Sequence, residues 1–251
     1  MLISVINLSN GSVSNKKLQE VIRAVNRQVK EDFMPYWGFG ATLRLEGKSS
    51  QKPSETSAAD LRGDAILYVW DAEDDDDAAG YHDKNNRGIP YGVVYLKLAK
   101  KLDKNWSITF SHEALELIAD PEVNLLVAGP HPNPKIKRKV LHDYEMCDAV
   151  QGESYVIDGV HVCNFVLPLY FTGGDEYEGR NDFLGTIHKD GSTLKSFGAN
   201  PGGYINFYDP HTRKYQSYWG KDDKEAEKRM AIKKEMKVTR RGTRYARHFK
   251  Q

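Results

Sequence analysis

The sequence predicts an α+β fold, and three observations carry the prediction. Short β-branched and apolar runs, Ile3 to Leu8 and Ala65 to Trp70, have the length of strands. Two segments, around Leu18 to Val29 and Ser111 to Asp120, repeat apolar residues at helical spacing. After Gly129-Pro130 the chain turns to short strands punctuated by Asp-Gly and Asp-Pro. At 251 residues the chain has ample material for a core. Its longest apolar runs, Ala65–Trp70 and Phe165–Phe171, fall far short of a bilayer span.

In chain order, Ile3 to Leu8 reads as a first strand rather than a signal peptide, since no basic flank or small-residue cleavage site accompanies it. Ser14 or Asn15 caps a helix reaching Lys30 or Phe33, with Leu18, Val21, Ile22, Val25 and Val29 on its apolar face. Ala41 to Leu45 is a second strand, and Gly47 to Ala59 a polar loop. Asp64 to Asp71 is a third strand, apolar throughout as a central strand is. An acidic loop then runs from Asp71 to Gly88. Ile89 to Leu98 is a fourth strand, which Pro90 and Gly92 assign to a sheet edge. A helix follows from Ser107 to Asp120. Beyond it come an irregular loop at Gly129–Pro134, a short helical stretch at His142–Val150, a hairpin through Asp158-Gly159, a strand at Asn164–Phe171 and a last hairpin at Gly202–Trp219.

The 107–120 helix carries the chemistry. At about 100° per residue, His112, Glu113, Glu116 and Asp120 share an arc of roughly 100°, and Ala114, Leu115, Leu117, Ile118 and Ala119 fill the rest. A helix so widely apolar is mostly buried, so its polar stripe must meet water, a partner charge or a metal ion. The motif is His112-Glu113-x-x-Glu116.

This stripe, together with the element order over roughly residues 1–150, resembles the zincin metallopeptidases and their His-Glu-x-x-His helix. The resemblance implies a zincin-like mixed sheet with an N-terminal helix and one antiparallel edge strand, above a metal-binding helix and followed by a β-rich C-terminal half. It implies that His112 and Glu116 hold a metal, with Glu113 as the general base that activates water for amide hydrolysis. Glu116 stands where the family has His. Glu145 resembles the downstream glutamate ligand of the gluzincin branch, which makes it the expected third ligand; His142 and Asp120 are alternatives, and Asp148 would support a ligand from behind. Asp120 before Pro121 also suits an ordinary helix stop. The expected ion is Zn²⁺, with Mn²⁺ or Fe²⁺ favoured by an oxygen-rich shell. A peptide or protein substrate would lie antiparallel to the edge strand at Tyr91, Gly92, Val93 and Val94. Tyr144, Tyr155 and Tyr170 are candidate oxyanion donors.

Three parts are expected: residues 1–150 as the metal-binding domain, 151–220 as a β-rich part packed on it, and 221–251 as a basic helical or flexible tail. That tail carries 12 Lys/Arg against 5 Asp/Glu, a net +7, and leaves the body at −6. Its Arg240-Arg241-Gly242-Thr243-Arg244-Tyr245 stretch could meet nucleic-acid phosphates and stack on a base. A Ca²⁺-binding role for Asp74–Asp77 is weaker than a solvated acidic loop, and His131 reads as a surface residue. Cys147 and Cys163 read as reduced thiols, consistent with a cytoplasmic setting or incorporation in a virus particle. The rival reading is a non-enzymatic assembly protein in which the stripe is a structural ion site or charge network and the β-rich half meets protein partners.

Overall fold

A computed structural model describes residues 1–47, 62–71, 79–85, 87–101, 105–173 and 179–220. The acidic run at Asp74–Asp77, most of the 47–59 loop and the tail from Lys221 lie outside them.

The first half is a five-stranded mixed sheet in the order β2-β1-β3-β5-β4. Its strands are β1 (Leu2–Leu8), β2 (Thr42–Leu45), β3 (Ala65–Trp70), β4 (Gly80–Lys84) and β5 (Pro90–Tyr95). β1, β2, β3 and β5 run parallel, and β4 alone is antiparallel, at one edge. The apolar run of β3 follows from burial on both faces: Leu67 and Val69 join a core with Ile3 and Val5, while Ile66 and Tyr68 join Ile6, Tyr81, Tyr91 and Tyr95 on the other side.

Helix α1 (Asn15–Arg27) crosses from β1 to β2. Ser14 Oγ accepts from Lys17 N at 3.1 Å and caps it. The helix continues through a π-helical segment, Gln28–Phe33, and α2 (Met34–Trp37), to end at Gly38 in the left-handed conformation (φ 75°). Gln28, fully buried, donates through Nε2 to Cys163 O at 2.8 Å and so ties this segment to the second half.

Two sequence expectations change here. The stretch read as acidic loop contains β4, and the strand read as an edge, β5, is interior. Tyr91, Gly92, Val93 and Val94 pair on one side with Ile66–Val69 and on the other with Gly80–Asp83, so their backbone has no side left for a peptide. Pro90 is tolerated because it opens the strand. Gly92 serves packing: a Cβ there would lie 2.8 Å from Leu67 Cδ1. Leu96 to Leu98 are not strand but begin α3 (Leu96–Lys101).

Helix α4 (Trp106–Ala119) is capped by Asn105, whose side chain accepts from Ser107 N at 3.1 Å. It packs on β4 and β5 on one side and on β9 on the other. The second half holds a four-stranded antiparallel sheet in the order β11-β10-β7-β6 and a two-stranded hairpin. The sheet consists of β6 (Leu126–Pro130), β7 (Lys139–Asp143), β10 (Tyr204–Asp209) and β11 (Lys214–Trp219). The hairpin consists of β8 (Ser154–Ile157) and β9 (Val160–Cys163). Asp158 and Gly159 both take positive φ, as the two central residues of a type I′ turn must. Asn164–Phe171 is not a strand: only Val166 bridges, to Asp182, and Pro168–Phe171 is a 3₁₀ turn. The 142–150 stretch is strand to Asp143 and a 3₁₀ turn only at Asp148–Val150. One core joins both halves, with Phe33 and Phe110 beside Met146, Val162 and Phe165. No helix among the described residues is long and apolar enough to cross a membrane.

Candidate metal centre

Helix α4 is buried nearly all round because sheet and hairpin both close on it. Ser111 Oγ accepts from Cys163 N at 2.7 Å, and Ser107 Oγ donates to His161 O at 2.7 Å, so the β9 side is locked. The polar stripe therefore faces inward, between β4 and the segment after β7.

Four elements bring six ionisable side chains together there: His82 from β4, His112, Glu113 and Glu116 from α4, Glu145 from the turn after β7, and Asp148 from the 3₁₀ turn. His112 Nε2 is 3.1 Å from Glu116 Oε1 and 3.3 Å from Asp148 Oδ1. His82 Nδ1 is 3.7 Å from Glu116 Oε2 and 3.9 Å from Glu113 Oε2, and its Nε2 is 3.9 Å from Glu145 Oε2. Cys147 N donates to Glu116 Oε1 at 3.3 Å. Glu116 is wholly buried and His82 is 1% exposed. Ligand atoms of His112, Glu116 and Cys147 lie within 4.8 Å of one another, as do those of His82, Glu113 and Glu116.

Gly80 makes this approach feasible. A Cβ at Gly80 would lie 2.6 Å from Glu113 Oε1 and 2.8 Å from Thr109 Cγ2, so only glycine lets β4 sit this close to α4. Gly80→Ala is expected to push β4 outward and cost about 1–3 kcal/mol in denaturant unfolding, with weaker metal uptake at His82. Unchanged stability and uptake would show that the strand yields without consequence.

The electrostatics follow from crowding four carboxylates away from water. Burial alone would lower the His82 pKa, but Glu145, Glu113 and Glu116 hold the proton on and carry it up to about 9. His112 is raised for the same reason, by Glu116 and Asp148 against its own burial. Burial and then Glu145 lift Glu116 to about 7, with His112 opposing. Glu113 is raised by burial, opposed by His82 and His112. Burial pushes the Cys147 thiol up as well. Its sulfur lies 3.5 Å from that of Cys163, and both cysteines are free and fully buried. Four carboxylates gathered with two histidines form a donor set of the kind that takes a divalent cation. The donors fit one: imidazole nitrogens and carboxylate oxygens, with Glu113 Oε2 buried and making no hydrogen bond.

The expected residues fare differently. His112, Glu113, Glu116, Glu145 and Asp148 converge. Asp120 does not: it ends α4, and its carboxylate accepts from Asn124 N and Leu125 N at 3.2 and 2.9 Å. His142 points elsewhere, with Nε2 2.8 Å from Pro130 O and its ring against Phe197, and burial lowers its pKa to about 4. Tyr155 OH donates to Asp32 and Tyr170 OH to Gly198 O, which commits both to structural bonds. His131 is buried rather than on the surface, its ring 5.0 Å from that of Phe207.

His82 is the residue the sequence reading missed. Its signal was the hairpin turn that follows: Asn85 Oδ1 accepts from Arg87 N and Ile89 N, closing a turn between β4 and β5. A groove of about 1110 Å³ between β6–β7 and residues 188–201 touches none of the six. The hollow that reaches Glu145 and Asp148 has about 10 Å³. Comparison with protein-family models, curated proteins and solved structures gives no match to this chain.

Proposed function

We propose that the chain is a metal-dependent hydrolase of peptide bonds, with Zn²⁺, Mn²⁺ or Fe²⁺ held by His112 and Glu116 and with Cys147 as the third donor within reach. The observation that carries the reading is the convergence of two histidines and four carboxylates, buried, from four separate elements. The zincin resemblance drawn from the sequence gains support from the sheet, whose single antiparallel strand lies at an edge and packs on the helix bearing the motif.

A bound divalent ion lowers the pKa of water toward about 7 and polarises the scissile carbonyl. Glu113 takes up the proton at Oε2, and His82, 3.9 Å away, carries the compensating positive charge. Asp148, 3.3 Å from His112 Nε2, steadies the His112 ring. The docking strand moves from β5 to β4, the edge strand of the sheet among the described residues.

Burial favours a second reading, a structural ion site in an assembly protein, because the hollow beside Glu145 and Asp148 has room for about one water. Turnover of a quenched peptide library separates the two. The hydrolase reading expects cleavage that chelation stops and Zn²⁺ or Mn²⁺ restores. Bound metal without cleavage at any substrate length overturns it in favour of the structural site.

A further inference from the structure

We propose that the centre holds two divalent cations that share Glu116, one on its Oε1 with His112 and Cys147, the other on its Oε2 with His82 and Glu113. This rests on the metal-centre reading above and extends it.

The geometry of Glu116 and of the donors around it carries this arrangement. The two oxygens of Glu116 face different histidines: Oε1 lies 3.1 Å from His112 Nε2, and Oε2 lies 3.7 Å from His82 Nδ1. Atoms that ligate one ion at about 2.0–2.2 Å sit about 3–3.5 Å from each other. His112 Nε2 and Glu116 Oε1, 3.1 Å apart, already have that spacing, with a Cys147 donor within 4.8 Å of both, and His82 Nδ1 stands 3.7 and 3.9 Å from Glu116 and Glu113, within about 0.5 Å of it. A carboxylate presenting one oxygen to each group is the arrangement of a bridging ligand.

Charge points the same way. Glu113, Glu116, Glu145 and Asp148 are all buried. An ion at each group brings positive charge to both ends of this carboxylate cluster. Glu113 Oε2, buried and without a hydrogen bond, is the open donor a second ion takes. Glu145 Oε2 lies 3.9 Å from the far nitrogen of His82, Nε2, so its charge acts on the side of the ring away from Glu113 and Glu116. When the second site fills, Glu113 is a ligand and no longer accepts a proton. The second ion is thus a brake on the hydrolase and a reason for the centre to be stable.

Mn²⁺ titration of the intact chain, read by metal content and by electron spin resonance, tests the inference without reference to activity. The wild type is expected to take up about two equivalents with a spin-coupled spectrum, as ions about 4 Å apart give. His82→Ala and the near-isosteric Glu113→Gln are each expected to keep about one equivalent with an isolated-ion spectrum. About one equivalent in the wild type, or a full complement retained by Glu113→Gln, overturns the second site and leaves the single-ion hydrolase standing. Two uncoupled ions overturn the Glu116 bridge. No uptake at all removes the metal centre and both proposals with it.

Discussion

Replacing His112 and Glu116 together by alanine is expected to abolish tight metal binding and, with it, the melting-temperature difference between metal-loaded and chelated protein. His112 and Glu116 supply the closest donor pair of the centre, at 3.1 Å, and Glu116 belongs to both ligand groups. Loss of an outer partner alone typically costs about 10–100-fold in affinity, and loss of two ligands exceeds that. An ion present at about 1,000 times its Kd stabilises a fold by about 4 kcal/mol. For a chain of this size that is a fall of roughly 10 °C when the wild type is chelated. The double variant melts at one temperature with or without chelator. Its metal-free form is also expected to melt no lower than metal-free wild type, because Glu116→Ala removes the most buried of four crowded carboxylates and offsets the loss of the His112 side chain. Mass spectrometry of bound metal and thermal denaturation read the two effects. A wild type that takes up neither Zn²⁺ nor Mn²⁺ overturns the prediction, and so does a double variant that keeps them.

The parts of this centre differ in how openly the sequence displays them, and the difference is physical. A helix writes its functional face into local spacing, so His112, Glu113 and Glu116 were readable as one stripe before any fold was known. The β1–α1–β2–β3 order was readable for the same reason, through apolar runs and a capping serine. β4 was not, because a five-residue edge strand next to an aspartate run carries almost no periodicity: Gly80, Tyr81, His82, Asp83 and Lys84 look like the loop they adjoin. With β4 unread, Pro90 and Gly92 were assigned to the edge, although one opens the strand and the other makes room for Leu67. The third member of the centre was the hardest of all. Glu145, the expected third ligand, and its alternative His142 lie three residues apart, and the alternation of β7 turns His142 toward Phe197 and Phe207, while the chain beyond the strand carries Glu145 back to His82. Which of two nearby side chains reaches a site is set by tertiary packing, which no local pattern encodes.

The metal-free chain is expected to lose stability as pH rises from about 7 to 9, and the metal-loaded chain is not. The sign follows from the proton count. His82 has a pKa of about 9 in the fold against 6.5 free, so its contribution is complete below 6.5 and is lost as pH climbs through 9. Such a shift is about 3 kcal/mol for His82 alone, and His112 acts in the same direction. Glu116, raised from 4.5 to about 7, is likewise favoured with its proton on, so the fold carries its ionised form at a cost above pH 7. Of the groups shifted the opposite way, Cys163 is held below 9.0 and opposes the effect in this window, while the raised thiol of Cys147, 3.5 Å from it, acts with the histidines. His142 and His131 are lowered, so their stabilisation grows only up to the unfolded value of 6.5 and is constant above it. Asp209 and Glu31 are lowered and titrate in acid. A chelated sample should therefore drop by roughly 5–10 °C in melting temperature across this window. In the loaded protein the ions occupy the positions those protons held, and their affinity increases with pH because every ligand must be deprotonated. The gap between loaded and chelated melting temperatures then widens toward pH 9. A chelated protein whose melting temperature is flat or rising over that range would show that the six side chains are not held together in the fold without an ion, and that the metal assembles the centre rather than filling it.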